Sequence, residues 1–187
     1  MQILYGTDSF PRDRVAAVTV GSFDGVHRGH QALLRALRRE ADRLGGVAVV
    51  VSFDPHPRIA LGRGEGLTLL TDEEEKAALL ADFGVDYLVV MRFDEAFAQM
   101  RGADFVSSIL VEKIGAKSLI AGYNHHFGSD RMAVADLHLE GLEVVRIERC
   151  EVEGRKVSSS EIRRLLAEGN IAEAETLLGH TLNNWTR

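Results

Sequence analysis

VAAVTVGSFDGVHRGHQALLRALRREADRL, residues 15–44, decides the fold. Val15 to Val20 is an apolar, β-branched run that predicts a buried strand. Gln31 to Leu44 repeats apolar residues at Leu33, Leu37, Ala41 and Leu44, the spacing of an amphipathic helix. Between them, GSFDGVHRGH is a strand-to-helix turn carrying His27 and His30. Three positions apart, the two histidines share a face if the helix begins there. A helix start presents unpaired N–H groups and the positive end of its dipole, which suits a phosphate chain. The plain alternative is a polar surface turn. Metal binding by the pair is disfavoured, because Cys150 is the only cysteine and no other His/Cys group has zinc-like spacing.

The pattern continues outward on the C-terminal side. Val47 to Phe53 (VAVVVSF) is continuously apolar, as in a parallel strand covered on both faces. Asp54 to Leu67 reads as a loop, its glycines at 62, 64 and 66 following no strand. Thr71 and Glu74 have capping-box spacing and open a helix through Phe83. Asp86 to Phe93 is a strand, Ala103 to Ile114 a helix and Lys117 to Gly122 a strand. Arg131 to Glu140 is weakly helical, and Glu143 to Ile147 is a strand. Ser159 to Leu178 holds two short helices, the second opened by the pair Asn170 and Glu173. Strands alternating with helices predict an α/β fold with a doubly wound parallel sheet, which binds ligands at the carboxyl ends of its strands. Neither a G-x-x-x-x-G-K-[ST] loop nor a G-x-G-x-x-G turn opening a helix is present.

The chain of 187 residues fits one domain, residues 1–187. Its 22 basic and 28 acidic residues leave a net charge of -6, which argues against bulk nucleic-acid binding. One cysteine excludes an intramolecular disulfide, and no apolar run has signal-peptide or membrane-spanning length. The expected setting is the cytoplasm, with small-molecule partners and neither nucleic acid nor membrane. The sequence leaves the oligomeric state open.

Three further motifs follow predicted strands or precede helices. Phe53 to Pro57 (FDPHP) is a stiff strand exit, readable as a plain turn or as an apolar lip for a flat ring. Gly122 to Gly128 (GYNHHFG) is a polar loop that offers amide donors from Asn124 and an aromatic surface from Phe127. Val157 to Arg163 (VSSSEIR) contains a capping box, Ser158 and Glu161. That cap leaves Ser159, Ser160 and Arg163 unexplained; hydroxyls, free N–H groups and an Arg at a helix start make a phosphate clamp.

GSFDGVHRGH, FDPHP, LLTDEEEK, GYNHHFG and VSSSEIR, with the trailing GNIAEAETLLGH, resemble in order and spacing the bacterial FAD synthetase family, specifically its FMN adenylyltransferase domain. The resemblance covers Tyr5 to Gly179. It implies a Rossmann-like HxGH nucleotidylyltransferase fold and the reaction ATP + FMN giving FAD + pyrophosphate. The family commonly carries a riboflavin kinase domain after this one. The resemblance implies that such a domain, and kinase activity, are absent here. Where the family often has Asp and then Phe-Arg, this chain has Asn124, His125 and His126. Asn124 still donates and accepts, but the missing Arg weakens the expected grip on ATP phosphate.

By this resemblance His27, His30, Ser159 and Arg163 are catalytic. Gly21, Ser22, Phe23, Asp24, Gly25, Gly29, Asn124, Ser158 and Ser160 bind ATP, with Gly25 and Gly29 letting backbone N–H groups approach the phosphates. Phe53, Pro55, His56, Pro57, Phe93 and Phe127 face FMN. Mg²⁺ enters on the ATP phosphates, with no dedicated protein cage. The FMN phosphate attacks the α-phosphate directly, so catalysis rests on positioning and charge stabilisation. Two alternatives stand beside this: a nucleotidylyltransferase of the same fold with another phosphorylated substrate, and a non-catalytic flavin- or nucleotide-binding module.

Overall fold

The computed structural model describes residues 1–182; residues 183–187, the tail of the single-domain reading, lie outside the described residues. In chain order the elements are β1 (Gln2–Tyr5), β2 (Ala16–Val20), α1 (Arg28–Leu44), β3 (Val47–Asp54), α2 (Pro57–Ala60), α3 (Glu73–Asp82), β4 (Tyr87–Arg92), α4 (Glu95–Ala98) and α5 (Gly102–Asp104), which runs on in π-helical turns over Phe105–Lys113. Then come β5 (Ala116–Gly122), β6 (His126–Phe127), β7 (Met132–Ala133), β8 (Glu143–Ile147), β9 (Glu151–Val152), β10 (Arg155–Lys156), α6 (Ser159–Ala167) and α7 (Ile171–Leu178). Six strands form one parallel sheet in the order β1-β4-β3-β2-β5-β8. The chain winds outward from β2 through β3 to β4, then returns to β5 on the other side of β2. This reversal between β2 and β5 is the switch point at which such sheets bind ligands.

The apolar run before the histidines is buried because β2 lies at the sheet centre, with every residue covered. Ala17 packs with Leu34 and Leu37 of α1, whereas Ala16, Val18 and Val20 face Val106 and Leu110 of the π-helical segment. The layering is therefore helix, sheet, helix. A third cluster joins α6, α7, Leu70 and Val157 at the carboxyl end of the strands.

Several local expectations change. Strand β1 is not marked by its pattern, since only Leu4 is buried and pairing with β4 defines it. The weak helix over 131–140 is instead the β6–β7 hairpin and one 3₁₀ turn, Val134–Asp136. Arg131 at φ 53° breaks any helix there. Thr71 does not cap α3: its hydroxyl accepts the Gly25 N–H at 3.1 Å, and Asp72 caps by accepting from Glu75 N at 2.8 Å. Asn170 makes no side-chain cap to α7, and Glu173 pairs with Arg155.

Candidate active site

The turn after β2 brings both histidines to one cleft. His27 is the N-cap of α1, and its Nδ1 accepts the His30 N–H at 3.2 Å. The two rings stack with centroids 3.6 Å apart, and Phe23 lies against His30 at 4.9 Å. Burial holds His27 down at about 4, and burial followed by the nearby His27 holds His30 well below the ordinary histidine range. Both rings are neutral at pH 7. A ring nitrogen that accepts an N–H carries a lone pair, so the proton of His27 sits on Nε2. Nδ1 of His30 is sealed without a hydrogen-bond partner, which leaves Nε2 as the nitrogen able to meet a ligand.

The cleft, about 310 Å³, is lined by Ser22, Phe23, Asp24, His27, His30, His56, Arg58, Ser158, Ser159, Ser160 and Arg163. Phe23 is only 1% exposed, so the side chains that reach the cleft are mostly polar ones. Ser158 caps α6 by accepting from Glu161 N at 3.3 Å, as its spacing predicts. Ser159 Oγ donates to the Asp24 carbonyl at 3.0 Å, tying α6 to the histidine turn. The Asp24 carboxylate pairs with Arg163 and accepts from Leu70 N at 2.7 Å, while Arg163 Nε donates to Thr68 O at 2.7 Å. Burial pushes the Arg163 guanidinium down from its ordinary value and Asp24 opposes that shift.

Not every expected residue reaches the cleft in the expected role. The N–H groups of Gly21 and Gly25 are taken by Val51 O and Thr71 Oγ1. Gly25 is a packing position, since a Cβ there would stand 2.7 Å from Leu70. Gly29 is needed by a neighbour: its Cβ would lie 3.2 Å from the His27 ring. Asn124 is exposed and outside the lining, its carbonyl facing His126 Nδ1 at 2.9 Å. His56, expected beside the flavin, lines the polar cleft, and its Nδ1 accepts from Arg58 N.

Phe53, Phe93 and Phe127 join a run of aromatic rings beyond the cleft. Phe53 contacts Phe93 at 5.5 Å and Phe97 at 5.8 Å, and Phe97 leads through Phe105 to Phe127 and His125. Phe53, Phe93 and Phe97 are partly exposed, whereas Phe105 and Phe127 are buried behind them. Pro55, after a cis peptide bond, is exposed and Pro57 half-buried. Sequence reasoning missed Phe97 and Arg58. Each follows a strand by a few residues, on β4 and β3 respectively, and that position was their one signal.

The FAD synthetase family model matches residues 9–161. The chain is 36% identical over 168 residues to the bifunctional riboflavin kinase/FMN adenylyltransferase of Escherichia coli K12, covering 87% of this chain and 54% of that one. It is 36% identical over 185 residues to the Pseudomonas fluorescens protein of the same name, covering 96% and 59%. A putative bifunctional riboflavin kinase/FMN adenylyltransferase of Geobacillus thermodenitrificans is 32% identical over 170 residues, covering 90% and 92%. The chain thus spans little more than half the length of the first two relatives. Among solved structures, a Streptococcus pneumoniae protein described as a macrolide-efflux protein superposes with TM-score 0.88 at 29% identity, over 97% of this chain and 61% of that one. Pantothenate synthetase from Thermus thermophilus shares the fold, with TM-score 0.56 at 20% identity over 96% and 81%. With its motifs, its sheet topology and this match across most of its length, the chain belongs to the FAD synthetase family.

Proposed function

We propose that this chain is an FMN adenylyltransferase, which transfers AMP from ATP to the phosphate of FMN and releases pyrophosphate. The carrying observation is the segment Phe53–Arg58. Its first residue sits in the aromatic cluster and His56 and Arg58 line the polar cleft, so one short stretch joins a surface for a flat ring to a site for phosphates. FMN has that shape: an isoalloxazine at one end and a phosphate at the other.

In this reading the ring lies on Phe53, Phe93 and Phe97, and the FMN phosphate reaches the histidine turn. ATP places its phosphates in the cleft, over the start of α1. A phosphate oxygen of FMN attacks the α-phosphorus in line, the bond to the β-phosphate oxygen breaks, and pyrophosphate leaves. Nε2–H of His27 and of His30 donate to phosphate oxygens as negative charge shifts to the leaving group. Neutral donors suit this step, because they need no proton transfer. Ser158, Ser159, Ser160 and Arg163 line the side where the β- and γ-phosphates lie. Mg²⁺ brought in with ATP would supply neutralisation of part of the phosphate charge. Asp24, the cleft's carboxylate, is engaged by Leu70 N and Arg163. Among the described residues no helix is long and apolar enough to cross a membrane. We place the protein in the cytoplasm, in keeping with its single cysteine.

The test is to incubate the protein with Mg²⁺, ATP and either FMN or riboflavin and to resolve the flavins by chromatography. FAD from FMN supports the proposal. FMN left unchanged, with another phosphorylated substrate adenylylated, overturns it. No flavin product from riboflavin is expected.

A further inference from the structure

The turn that presents the two histidines is strained. Phe23 and Val26 take positive φ, 50° and 36°, which side chains with a Cβ rarely adopt and β-branched ones least of all. Such a conformation persists only where its surroundings hold it. Here the holding groups come from the helix start itself and from the far end of the chain.

Gln31 is buried, 6% exposed, one position past His30. Its Nε2 donates to two carbonyls, Val26 O at 3.1 Å and Leu178 O at 2.7 Å. One amide group therefore ties the strained peptide preceding His27 to the last turn of α7. The Gln31 backbone N–H donates to His27 O at 2.9 Å. Nε2 of His180, just past α7, lies 2.9 Å from Gly25 O and its Nδ1 2.9 Å from Thr181 O; in the Nε2–H tautomer the ring donates to Gly25 O. Arg28 Nε donates to Thr176 O at 2.7 Å. Three nearby points of the turn, at Gly25, Val26 and Arg28, are thus pinned to residues 176–180.

We propose that Gln31 and His180 are positioning residues for the adenylyl transfer: they hold the carbonyls of Val26 and Gly25 so that the His27 and His30 rings stay stacked and aimed into the cleft. Neither side chain lines the cleft. Their effect passes through the backbone on which the histidines ride. The inference rests on the adenylyltransferase reading above. Misplacing a reacting group by about 1 Å costs on the order of 100-fold in rate, so the brace acts on turnover rather than on substrate binding.

The test uses Gln31→Met, which keeps length and helix preference and removes both donors, and His180→Ala at a partly exposed site. Steady-state kinetics with ATP and FMN are read beside the ring-proton NMR resonances of His27 and His30. Gln31→Met is expected to lower kcat about 10- to 100-fold with the KM of both substrates within about threefold. His180→Ala lowers kcat about 3- to 10-fold, His180→Gln, which keeps a donor, restores most of it, and both histidine resonances shift in Gln31→Met. Normal kcat in both donor-less variants overturns the proposal. So does a rise in KM in place of the fall in kcat. An unfolded Gln31→Met beside a fully active His180→Ala also overturns it, reducing the contacts to folding alone. If the wild-type protein makes no FAD, the functional reading fails, and the ring resonances, which need no substrate, still decide whether the brace holds the histidines.

Discussion

Asp24 and Arg163 form an ion pair at the wall of the cleft, and each also holds the backbone between residues 68 and 70: Asp24 through Leu70 N, Arg163 through Thr68 O. The pair is largely buried, with side chains 5% and 16% exposed. Asp24→Asn leaves the guanidinium uncompensated. Given that Arg163 is partly solvated, the expected loss is about 2 kcal/mol, below the full cost of breaking a buried pair. That corresponds to roughly 4–8 °C in Tm for a chain of this size. Differential scanning calorimetry checks it; an unchanged Tm would show that the pair stabilises nothing.

His27→Ala and His30→Ala are each expected to reduce turnover about 100-fold, the scale of losing one transition-state donor. Far-UV circular dichroism should stay that of the wild type. Near-normal turnover in either variant removes that ring from the chemistry.

Arg58 and Arg163 divide the cation work of the cleft. Arg163 is neutralised by Asp24, whereas Arg58 projects from the segment after β3 into the same lining with no side-chain ion pair among the described residues. Arg58→Ala should raise the KM for FMN about tenfold, the value of one charge-assisted phosphate contact, and that for ATP less, because Arg58 rides on the segment that joins the aromatic cluster to the cleft. Arg163→Ala should raise the ATP requirement more than the FMN requirement. An effect of the Arg163 variant confined to FMN would move Arg163 to the flavin side, and an effect of the Arg58 variant confined to ATP would take Arg58 off it.

Phe97 provides a partly exposed ring beside Phe53 and Phe93. Phe97→Ala should weaken FMN binding about tenfold, the scale of one aromatic contact with its area. ATP binding measured by calorimetry should not change. Equal loss for both ligands would mean that the cluster supports the fold rather than the flavin.

Buried histidines make stability fall in acid, His27, His30 and His125 among them. Burial holds His27 and His125 each at about 4, below the 6.5 of an unfolded histidine. Between these values the unfolded chain binds more protons, so stability is full above about pH 6.5 and is lost as pH falls toward 4. Each ring contributes on the order of 3 kcal/mol across that window. His125→Phe, beside Phe127, should remove one ring's share of the difference in unfolding free energy between pH 7 and pH 4.5. Urea titrations at the two pH values test this, and an unchanged difference would show that His125 opens to solvent before it titrates.

The strand–turn–helix of residues 15–44, the parallel sheet and the capping role of Ser158 were legible in the sequence because each is written in neighbouring residues, as periodicity or as a cap three positions long. His27 and His30 belong to the same class, since local spacing alone puts them together at a helix start. Other features depend on residues distant in sequence, which no local pattern encodes. Thr71 has the spacing of a cap, yet it accepts from Gly25, and Asp72 takes the cap. Asp24 meets Arg163 across 139 positions, and Gln31 meets Leu178 across 147. Local sequence thus specifies the fold class, the strand-to-helix turn that carries the histidines, and the family. Tertiary contacts alone settle that the Gly25 N–H is taken by Thr71, that His56 and Arg58 line the cleft, and that burial lowers the pKa of both histidines, because burial and long-range hydrogen bonds arise when the chain closes on itself.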